Sequence, residues 1–241
     1  MSDQAQAGLL KASALAQRKA EYEAILRSIG TEHVLQKGEL LRTDHICYLL
    51  KGLCILSFYG PCGDETSLLF FEPGRLFNFM PKLSRLYPLQ PKTLRRKLPR
   101  DAFAVRAKEE SILLFIDHNV FERELAGSLP LHSLLVQSLT ENCENLISHA
   151  GNSPLLPTPQ RICRLLAEMM EEAPPHTVPS FLSYNEISLH LGIHPITVAK
   201  IFKALKEEGI TARQGRMLEV ADPERLRAIA LGLEEFDYKR A

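Results

Sequence analysis

Five basic side chains and two acidic ones occur between residues 194 and 216. They are Lys200, Lys203, Lys206, Arg213 and Arg216 against Glu207 and Glu208. A local net charge of about +3 suits phosphate binding, because Lys and Arg donate charge-assisted hydrogen bonds to phosphate oxygens. The whole chain has 29 basic and 29 acidic residues, so bulk charge gives no support to nucleic-acid binding. Such a function must rest on the local distribution.

The residues before this basic segment predict a helix that ends in a tight turn. Ser183 and Glu186 have the spacing of a capping box, in which each side chain satisfies a free backbone amide of the other. A helix is therefore expected to begin at Ser183 and to end at Gly192. The small side chain of Ser188 allows a second helix to cross closely after the turn.

The second helix is predicted to begin at His194-Pro195 and to end at Gly209, which can adopt left-handed backbone. Four apolar residues form its inward face: Val198, Ile201, Phe202 and Leu205. The outward side of its N-terminal half consists of His194, Pro195, Ile196, Ala199, Lys200 and Lys203. Helix-turn-helix proteins place this part of the second helix against base edges in the major groove.

A β-hairpin is predicted directly after the second helix. Residues 210–220 form two short runs around a turn at Gly215, with Arg213 and Arg216 near its tip. This pattern is typical of the wing of a winged helix-turn-helix. An ordinary pair of packed helices is the alternative interpretation, and the hairpin and the local charge both favour the DNA-binding one.

The N-terminal half has a different pattern of apolar and turn residues. Residues 31–116 consist of short apolar runs, such as ICYLL at 46–50 and SILLFI at 111–116, separated by turn residues. Several short strands at this spacing predict an antiparallel β-roll, similar to a cupin-like jelly roll. Helical patterning in residues 5–29 predicts a short helix before it.

A long helix with a coiled-coil-like seam is predicted after Asp117. The seam residues recur at alternating steps of four and three: His132, Val136, Leu139, Cys143, Leu146 and Ala150. We expect Val136, Leu139, Cys143 and Leu146 to pair with the same residues of a second copy. The alternative is a helix that packs only on its own β domain.

Residues 151–159 contain three prolines and a glycine, and they mark the best boundary between domains. Thr158 is predicted to be the N-cap of the next helix, with Pro159 at its first position and the end near Glu172. The predicted architecture is α+β. It has a helix and β-roll at 1–117, a central dimerisation helix at 118–151, and a winged helix-turn-helix at 152–241.

Several classes of protein are not expected. The five cysteines include no Cys-x-x-Cys pair, which argues against a disulfide framework or a zinc finger and favours buried, reduced thiols. No apolar stretch approaches 18 residues, and the N-terminus lacks the pattern of a secretory signal. The chain is therefore expected to be cytoplasmic and without membrane association. No nucleophile elbow, phosphate loop or metal-ligand spacing indicates an enzyme.

From about residue 20 to 228 the chain resembles the Crp/Fnr family of bacterial transcription regulators, in the branch that does not bind cyclic AMP. The family's turns are matched by Lys37-Gly38-Glu39, Leu49-Leu50-Lys51-Gly52 and Pro73-Gly74. Its recognition-helix pattern, Gly-x-x-Arg-Glu-Thr-Val-x-Arg, is matched in part by residues 192–200. The resemblance implies a homodimer that binds a palindromic operator under the control of an effector sensed by the β-roll.

The recognition helix departs from the family pattern at two base-reading positions. Ile196 replaces a glutamate and cannot accept a hydrogen bond from cytosine, whereas Lys200 replaces an arginine and can still contact guanine. The operator should therefore differ from the family's commonest consensus. We expect four residues to face bases: His194, Pro195, Ile196 and Lys200. We expect five to hold phosphates: Thr158, Thr197, Lys203, Arg213 and Arg216.

The effector is not identified by the sequence. Residues 80–106 are rich in Lys and Arg where family members hold their effector, so an anionic small molecule is one interpretation and a solvated loop the other. Candidate effector-binding residues are Phe77, Phe79, Arg95, Arg96 and Arg106, although the phenylalanines could equally belong to the core. Cyclic AMP is not expected, since Asn78-Phe79 and Ala102–Ala104 lack the family's carboxylate and arginine.

The cofactor is also left open. An iron-sulfur centre is not expected, because the family's version needs an N-terminal cysteine cluster and the first cysteine here is Cys47. Haem remains open: His33, His45, Cys47 or His118 could act as ligands, but none has a diagnostic spacing.

The partners expected from the sequence are double-stranded DNA, a second copy of the chain, an unidentified small-molecule effector and, if the protein activates transcription, RNA polymerase. The competing interpretation is a ligand- or protein-binding sensor or adaptor whose winged helix does not bind DNA. Acidic residues after Glu219 favour this second interpretation.

Overall fold

The structure is a computed structural model that describes residues 17–60, 63–80, 83, 102–152, 155–215 and 217–238. The described residues form two compact units. The first contains the residues up to Ser57 together with Leu69–Glu144, and the second contains Phe58–Leu68 together with the residues from Asn145 onward.

The described residues up to Ile116 form one helix and seven short strands. Helix α1 includes residues 17–29. The strands are β1 (Gly30–Leu35), β2 (Ile46–Lys51), β3 (Cys54–Tyr59), β4 (Glu65–Phe71), β5 (Leu76–Phe77), β6 (Phe103–Ala107) and β7 (Ser111–Ile116). They form one sheet in the order β1-β7-β2-β5 and another in the order β4-β3-β6. The predicted antiparallel β-roll is confirmed.

One face of the first sheet packs on helices. Strand β7 lies antiparallel between β1 and β2, with Gly30 and Ile46 both opposite Ile116. Because side chains alternate along a strand, Leu114 and Ile116 point to the same side and share a buried cluster with Ile46 and Tyr48. Residues of α1 and of the helices that follow β7 complete this cluster. The core of the first unit is therefore a sheet covered by helices.

The helical segment after Asp117 is divided, in contrast to the single helix predicted over 118–151. Helix α2 (His118–Leu125) is capped by the Asp117 side chain, and α3 (Leu129–Gly151) begins after a break. Gly127 lies in the break, and Pro130 stands in the first turn of α3, where a missing N–H costs no hydrogen bond. A glycine followed closely by a proline is a sequence signal from which this break could have been predicted.

Helix α3 has one buried face and one exposed apolar face. Its buried residues are Leu131, Leu134, Leu135 and Ser138. Leu139 is half-buried against the same core, whereas Val136 is 61% exposed, Leu146 is 42% exposed and Cys143 is exposed. Ile147, which was not among the predicted seam residues, is also exposed. Most of the predicted seam is thus not used by the chain's own core.

Arg75 ties the turn before β5 to helix α3. Its guanidinium forms an ion pair with Glu141 at 2.8 Å and donates a hydrogen bond to Asn142 Oδ1 at 2.7 Å. The next residue strengthens the link, since the backbone N–H of Leu76 lies 3.4 Å from Ser138 Oγ. No sequence pattern indicates these contacts, because 67 residues separate Arg75 from Asn142.

We expect Arg75→Ala to lower the apparent free energy of unfolding by roughly 1–3 kcal/mol, because the substitution leaves partly buried acceptors without their donor. The Arg75 and Glu141 side chains are only 16% and 30% exposed. Arg27→Ala is the matched control: its ion pair with Glu32 is half exposed, so at most about 1 kcal/mol is expected. Urea unfolding of both variants measures the difference, and equal decreases would contradict the assigned role of Arg75.

Three of the described cysteines are buried thiols. Cys47, Cys54 and Cys163 are buried and free. Burial raises the pKa of Cys54 to about 11 and that of Cys163 to about 12, so both remain protonated near neutral pH. Burial also raises the pKa of Cys47. Cys143 is exposed, and Cys62 lies outside the described residues.

After α3, the described residues of the second unit form four helices and a small sheet. Its elements are α4 (Thr158–Met169), β8 (Thr177–Val178), α5 (Tyr184–Leu191), α6 (Pro195–Glu207), β9 (Thr211–Gln214), β10 (Met217–Val220) and α7 (Pro223–Ala230). The sheet order is β8-β10-β9. The predicted hairpin is β9–β10, and β8, which lies after the predicted end of the helix near Glu172, adds a third strand.

The start of α4 differs by one residue from the prediction. Pro157 is the N-cap and Thr158 the first helical residue, so Pro159 occupies the second position. Pro157 forms no side-chain capping bond, and its carbonyl accepts the N–H of Arg161 at 3.1 Å. The shift is tolerated because the first helical N–H groups have no partner within the helix, so a proline there removes no hydrogen bond.

Candidate nucleic-acid interface

The turn between α5 and α6 is held by side chains that the sequence singled out. Ser183 Oγ accepts the N–H of Glu186 at 3.2 Å and caps α5. Gly192 ends the helix with φ of 62°, in the left-handed region that favours glycine. Ser188 is buried and donates a hydrogen bond to the carbonyl of Ile193 at 2.6 Å, which closes the turn. The predicted helix-turn-helix is therefore present.

Glu186 has a partner that the capping-box prediction did not include. Its carboxylate accepts a hydrogen bond from Ser67 Oγ at 2.7 Å. The amide of Ser183 donates to the carbonyl of Phe181 at 2.7 Å. Ser67 lies in residues 58–68, which belong to the same compact unit, and is 119 residues away in sequence. The contact explains how a buried carboxylate at Glu186 is satisfied.

Helix α6 buries the predicted apolar face and leaves the opposite face accessible. Val198, Ile201, Phe202 and Leu205 are buried, as the pattern predicted. His194 is the N-cap of the helix, and its Nδ1 accepts the N–H of Ile196 at 3.3 Å. This cap fixes the imidazole ring beside the first turn, at the end of the helix that enters a major groove in helix-turn-helix proteins.

All predicted outward residues of α6 are exposed. They are His194, Pro195, Ile196, Ala199, Lys200 and Lys203. Ile196 is 62% exposed although it is a large apolar residue. Thr197 is half-buried beside them. The structure therefore brings the four residues expected to face bases onto one accessible surface.

Tyr184 positions the wing arginine, a role that sequence reasoning missed. The Arg213 guanidinium lies over the Tyr184 ring, with Cζ 5.0 Å from the ring centroid. The same ring packs against Phe202 of α6, with centroids 4.6 Å apart. Arg213 is exposed at its outer side. An aromatic residue directly after the capping serine is the only sequence signal for this contact.

The remaining residues expected to bind phosphate differ in their exposure and in their neighbours. Lys203 is exposed and lies 3.6 Å from Glu207 one turn later, a separation at which an exposed pair is weak. Thr158 is half-buried at the start of α4. Arg216 lies outside the described residues. Glu208, one of the two acids near this surface, is bound by Arg225 at 2.5 Å, which offsets its negative charge.

The three candidate effector residues that the structure describes, Phe77, Phe79 and Arg106, are not brought together. Phe77 is buried and stacks on Phe71 with centroids 4.4 Å apart, and Phe79 belongs to the core cluster of the first unit. Core packing accounts for both rings. Arg106 instead lines a cavity of about 540 Å³ with His33 and Phe115, and its guanidinium donates to the carbonyl of Gly38 at 3.0 Å.

The basic stretch and the possible haem ligands were the other candidates for effector or cofactor binding. Arg95, Arg96 and most of the basic stretch 80–106 lie outside the described residues. Of the possible haem ligands, His33 and His45 are exposed and flank Phe115 as stacked rings.

Within the described parts of the chain, no cluster of His, Cys, Asp and Glu could hold a metal ion. In those same parts, no helix is both long enough and apolar enough to cross a membrane.

The second unit contains a buried polar cluster that includes His190 of α5. His190 Nδ1 lies 2.9 Å from the carbonyl of Ser67, and its ring meets that of His149 edge-on at 4.7 Å. Burial, followed by the charge of His149, lowers the pKa of His190 to about 4. Arg161 donates to the carbonyls of Asn152 and Leu191 beside them.

This cluster predicts acid sensitivity. Unfolded histidine has a pKa near 6.5, so on acidification the unfolded chain binds the proton first and stability falls between about pH 6.5 and 4. His190 contributes up to about 3 kcal/mol to that decrease. His190→Leu should therefore flatten the decline of unfolding free energy over this range, measured by urea unfolding at several pH values. His176→Leu is the control, and an unchanged slope in the His190 variant would contradict the assignment.

Comparisons with known proteins agree with this geometry. Residues 160–229 match the family described as the Crp-like helix-turn-helix domain. No curated protein matches the chain. The matched residues include both helices of the motif and the hairpin described above.

Solved structures resemble the chain over most of its length. FixK2 from Bradyrhizobium japonicum has a TM-score of 0.66 at 16% identity, with 83% of this chain and 97% of that chain covered. A mutant of CooA from Carboxydothermus hydrogenoformans has 0.67 at 18% identity, with 86% and 90% covered. The c-di-GMP responsive global regulator CLP from Xanthomonas campestris has 0.61 at 15% identity, with 83% and 97% covered.

The chain thus combines a β-roll and a long helix with a winged helix-turn-helix whose outer face is basic. Residues 160–229 are similar to the Crp-like helix-turn-helix domain, and the chain shares its fold with these solved structures.

Proposed function

We propose that the protein is a homodimeric transcription regulator that binds a palindromic operator under the control of an effector sensed by its β-roll. The observation that carries this proposal is the outward face of α6, where His194, Ile196 and Lys200 are exposed at the N-terminal end of a capped recognition helix. Ile196 and Lys200 are not part of the described core of the second unit, and the ring of His194 caps the helix while it stays exposed. Their accessibility is what base recognition needs.

Dimerisation is supported by the exposed apolar side of α3. Val136, Leu146 and Ile147 are large apolar residues that the chain's own core does not cover. Val136 also lines a groove of about 1040 Å³ beside α1 and the turn at Gly74. A second copy of α3 is the proposed occupant, because the seam has the repeat of a two-stranded coiled coil. A two-fold dimer presents two recognition helices about 34 Å apart, one turn of DNA.

Base readout and phosphate contacts are assigned to different residues. Lys200 would contact guanine through its N7 and O6 atoms, and His194 and Ile196 would lie along the same groove. Thr158, Thr197, Lys203, Arg213 and Arg216 would contact phosphates and set the register of the protein on the duplex. Arg213 is well suited to this task, since the Tyr184 ring limits the orientations of its guanidinium.

Effector control is proposed by analogy with the fold. One of the similar structures, CLP, is described as responsive to c-di-GMP. Arg106 and the 540 Å³ cavity it lines offer one cationic position in the β-roll for an anionic effector. The proposed protein acts in the cytoplasm and contacts RNA polymerase if it activates transcription.

Selection of bound duplexes from a random pool tests the proposal. The full-length protein should enrich a two-fold symmetric sequence, and its preference over random duplex should persist as salt rises, because base contacts survive where phosphate contacts weaken. Failure to enrich any sequence, with binding that disappears uniformly at higher salt, would instead support the sensor or adaptor whose winged helix does not bind DNA.

A further inference from the structure

The first turns of α6 expose an apolar strip that the fold does not use. Ile196 is 62% exposed, and Pro195 and Ala199 are also exposed. The opposite face of the same helix supplies the buried residues of the second unit. Ile196 therefore does not contribute to the core of the second unit, and it lies on the face that recognition helices turn toward DNA.

Ile196 and its neighbours share one side of the helix. Residues three and four apart are adjacent on a helix surface, so Ile196 lies beside Ala199 and Lys200. The cap formed by His194 holds the backbone N–H of Ile196 and fixes the start of the helix. The strip thus combines two hydrocarbon side chains with one ammonium group, at the end of the helix that points into the groove.

The chemistry of this strip selects one feature of a base pair. An isoleucine side chain has no hydrogen-bond donor or acceptor, so it cannot distinguish bases by polar contacts. In the major groove the one apolar group is the C5-methyl of thymine, which apolar side chains contact directly. Guanine, adenine and cytosine lack this methyl group, and contact with Ile196 at their polar major-groove atoms would leave those donors or acceptors unpaired.

We infer that Ile196, supported by Ala199, recognises the C5-methyl group of a thymine in each operator half-site. The inference rests on the proposed function, since it assigns specificity to the same recognition helix. Lys200 then contacts a guanine in the same half-site, and the two residues together define a thymine-containing operator.

Uracil substitution tests this assignment, because deoxyuridine lacks only the methyl group and keeps every hydrogen bond of thymine. Each thymine of the selected operator is replaced in turn, and affinity is measured by fluorescence anisotropy with the full-length protein. At one position we expect a decrease of about fourfold, which corresponds to about 0.8 kcal/mol for one methyl group. Replacement in both half-sites of a symmetric operator should give about sixteenfold.

Substitution of Ile196 connects the effect to this side chain. Ile196→Ala should bind the thymine and uracil operators with nearly equal affinity, whereas wild type distinguishes them. Leu231→Ala is the matched control: Leu231 is an exposed large apolar residue beyond the end of α7, and its variant should keep the wild-type preference. Circular dichroism of each variant checks that the fold is retained.

The outcomes separate this inference from the proposed function. Specific binding in which no thymine-to-uracil change alters affinity would overturn the role of Ile196 and leave the regulator proposal standing. A methyl effect that persists in Ile196→Ala would also overturn it, since another residue would then be responsible. Absence of any specific operator would remove the proposed function itself.

Discussion

Val136→Glu combined with Leu146→Glu should convert the protein to a monomer and reduce its affinity for the selected operator at least about a hundredfold. Both residues lie on the exposed apolar side of α3, so the substitutions leave the core of each subunit intact. In a dimer, however, four carboxylates would meet across the seam, and like charges in contact cost several kcal/mol. Without the second subunit, only one recognition helix engages a half-site.

Sedimentation equilibrium and operator binding measure the two effects on the same samples. Leu233→Glu provides the control, because Leu233 is 79% exposed but lies outside α3. It should remain dimeric with wild-type affinity. A double-glutamate variant that stays dimeric and binds normally would show that α3 is not the subunit interface, and the proposed arrangement of the recognition helices would have to be replaced.

Lys200→Ala should abolish preference at one base-pair position of each half-site and leave preference elsewhere unchanged. A bidentate contact between a basic side chain and guanine discriminates against other bases by about 1–3 kcal/mol, or roughly 5- to 150-fold. Lys200 is exposed on the first turns of α6, where such a contact is possible. Affinities for all single-base operator variants, measured with wild type and with Lys200→Ala, identify the position.

Lys203→Ala is the contrasting variant, since Lys203 is expected to bind phosphate. It should weaken binding to all operator variants by a similar factor and reduce the slope of log affinity against log salt by about 0.9 for each phosphate that is no longer neutralised. A uniform decrease in Lys200→Ala, with no position singled out, would assign Lys200 to the phosphate-binding group and remove direct base readout by this residue.

The helix-turn-helix could be predicted because its signals are local. The Ser183 cap, the left-handed Gly192 and the buried Val198 all lie within a short stretch of chain. Each depends on backbone geometry or helical periodicity that neighbouring residues determine alone. The same reasoning placed the outward face of α6 correctly. Its contacts with DNA stay predictions until they are measured.

The contacts that sequence reasoning missed join residues far apart in the chain. Ser67 meets Glu186 over a separation of 119 residues, and Arg75 meets Asn142 over 67. A hydroxyl or guanidinium in a strand or turn has many possible partners, and only the tertiary fold selects one. The order β1-β7-β2-β5 is similarly non-local, since alternation within each strand predicts a strand but not its neighbour.

The effector residues were harder to predict for a different reason. Large aromatic residues in short apolar strands suit a ligand pocket and a core equally well, and Phe77 and Phe79 are used in the core. The composition of 80–106 indicates positive charge but gives no periodicity from which a structure could be derived. Arg106 was assigned from charge alone, and the cavity beside it required the fold.

Both borders of that basic stretch are anchored to the same part of the β-roll. Asn78, with φ of 60°, donates its side-chain amide to the carbonyls of Thr43 and His45. On the other border, Leu41 donates its N–H to the carbonyl of Val105 at 2.8 Å. Asn78 and Val105, which flank most of the basic stretch, are therefore both held by residues 41–45, so the strands at its two borders keep a fixed position relative to one another.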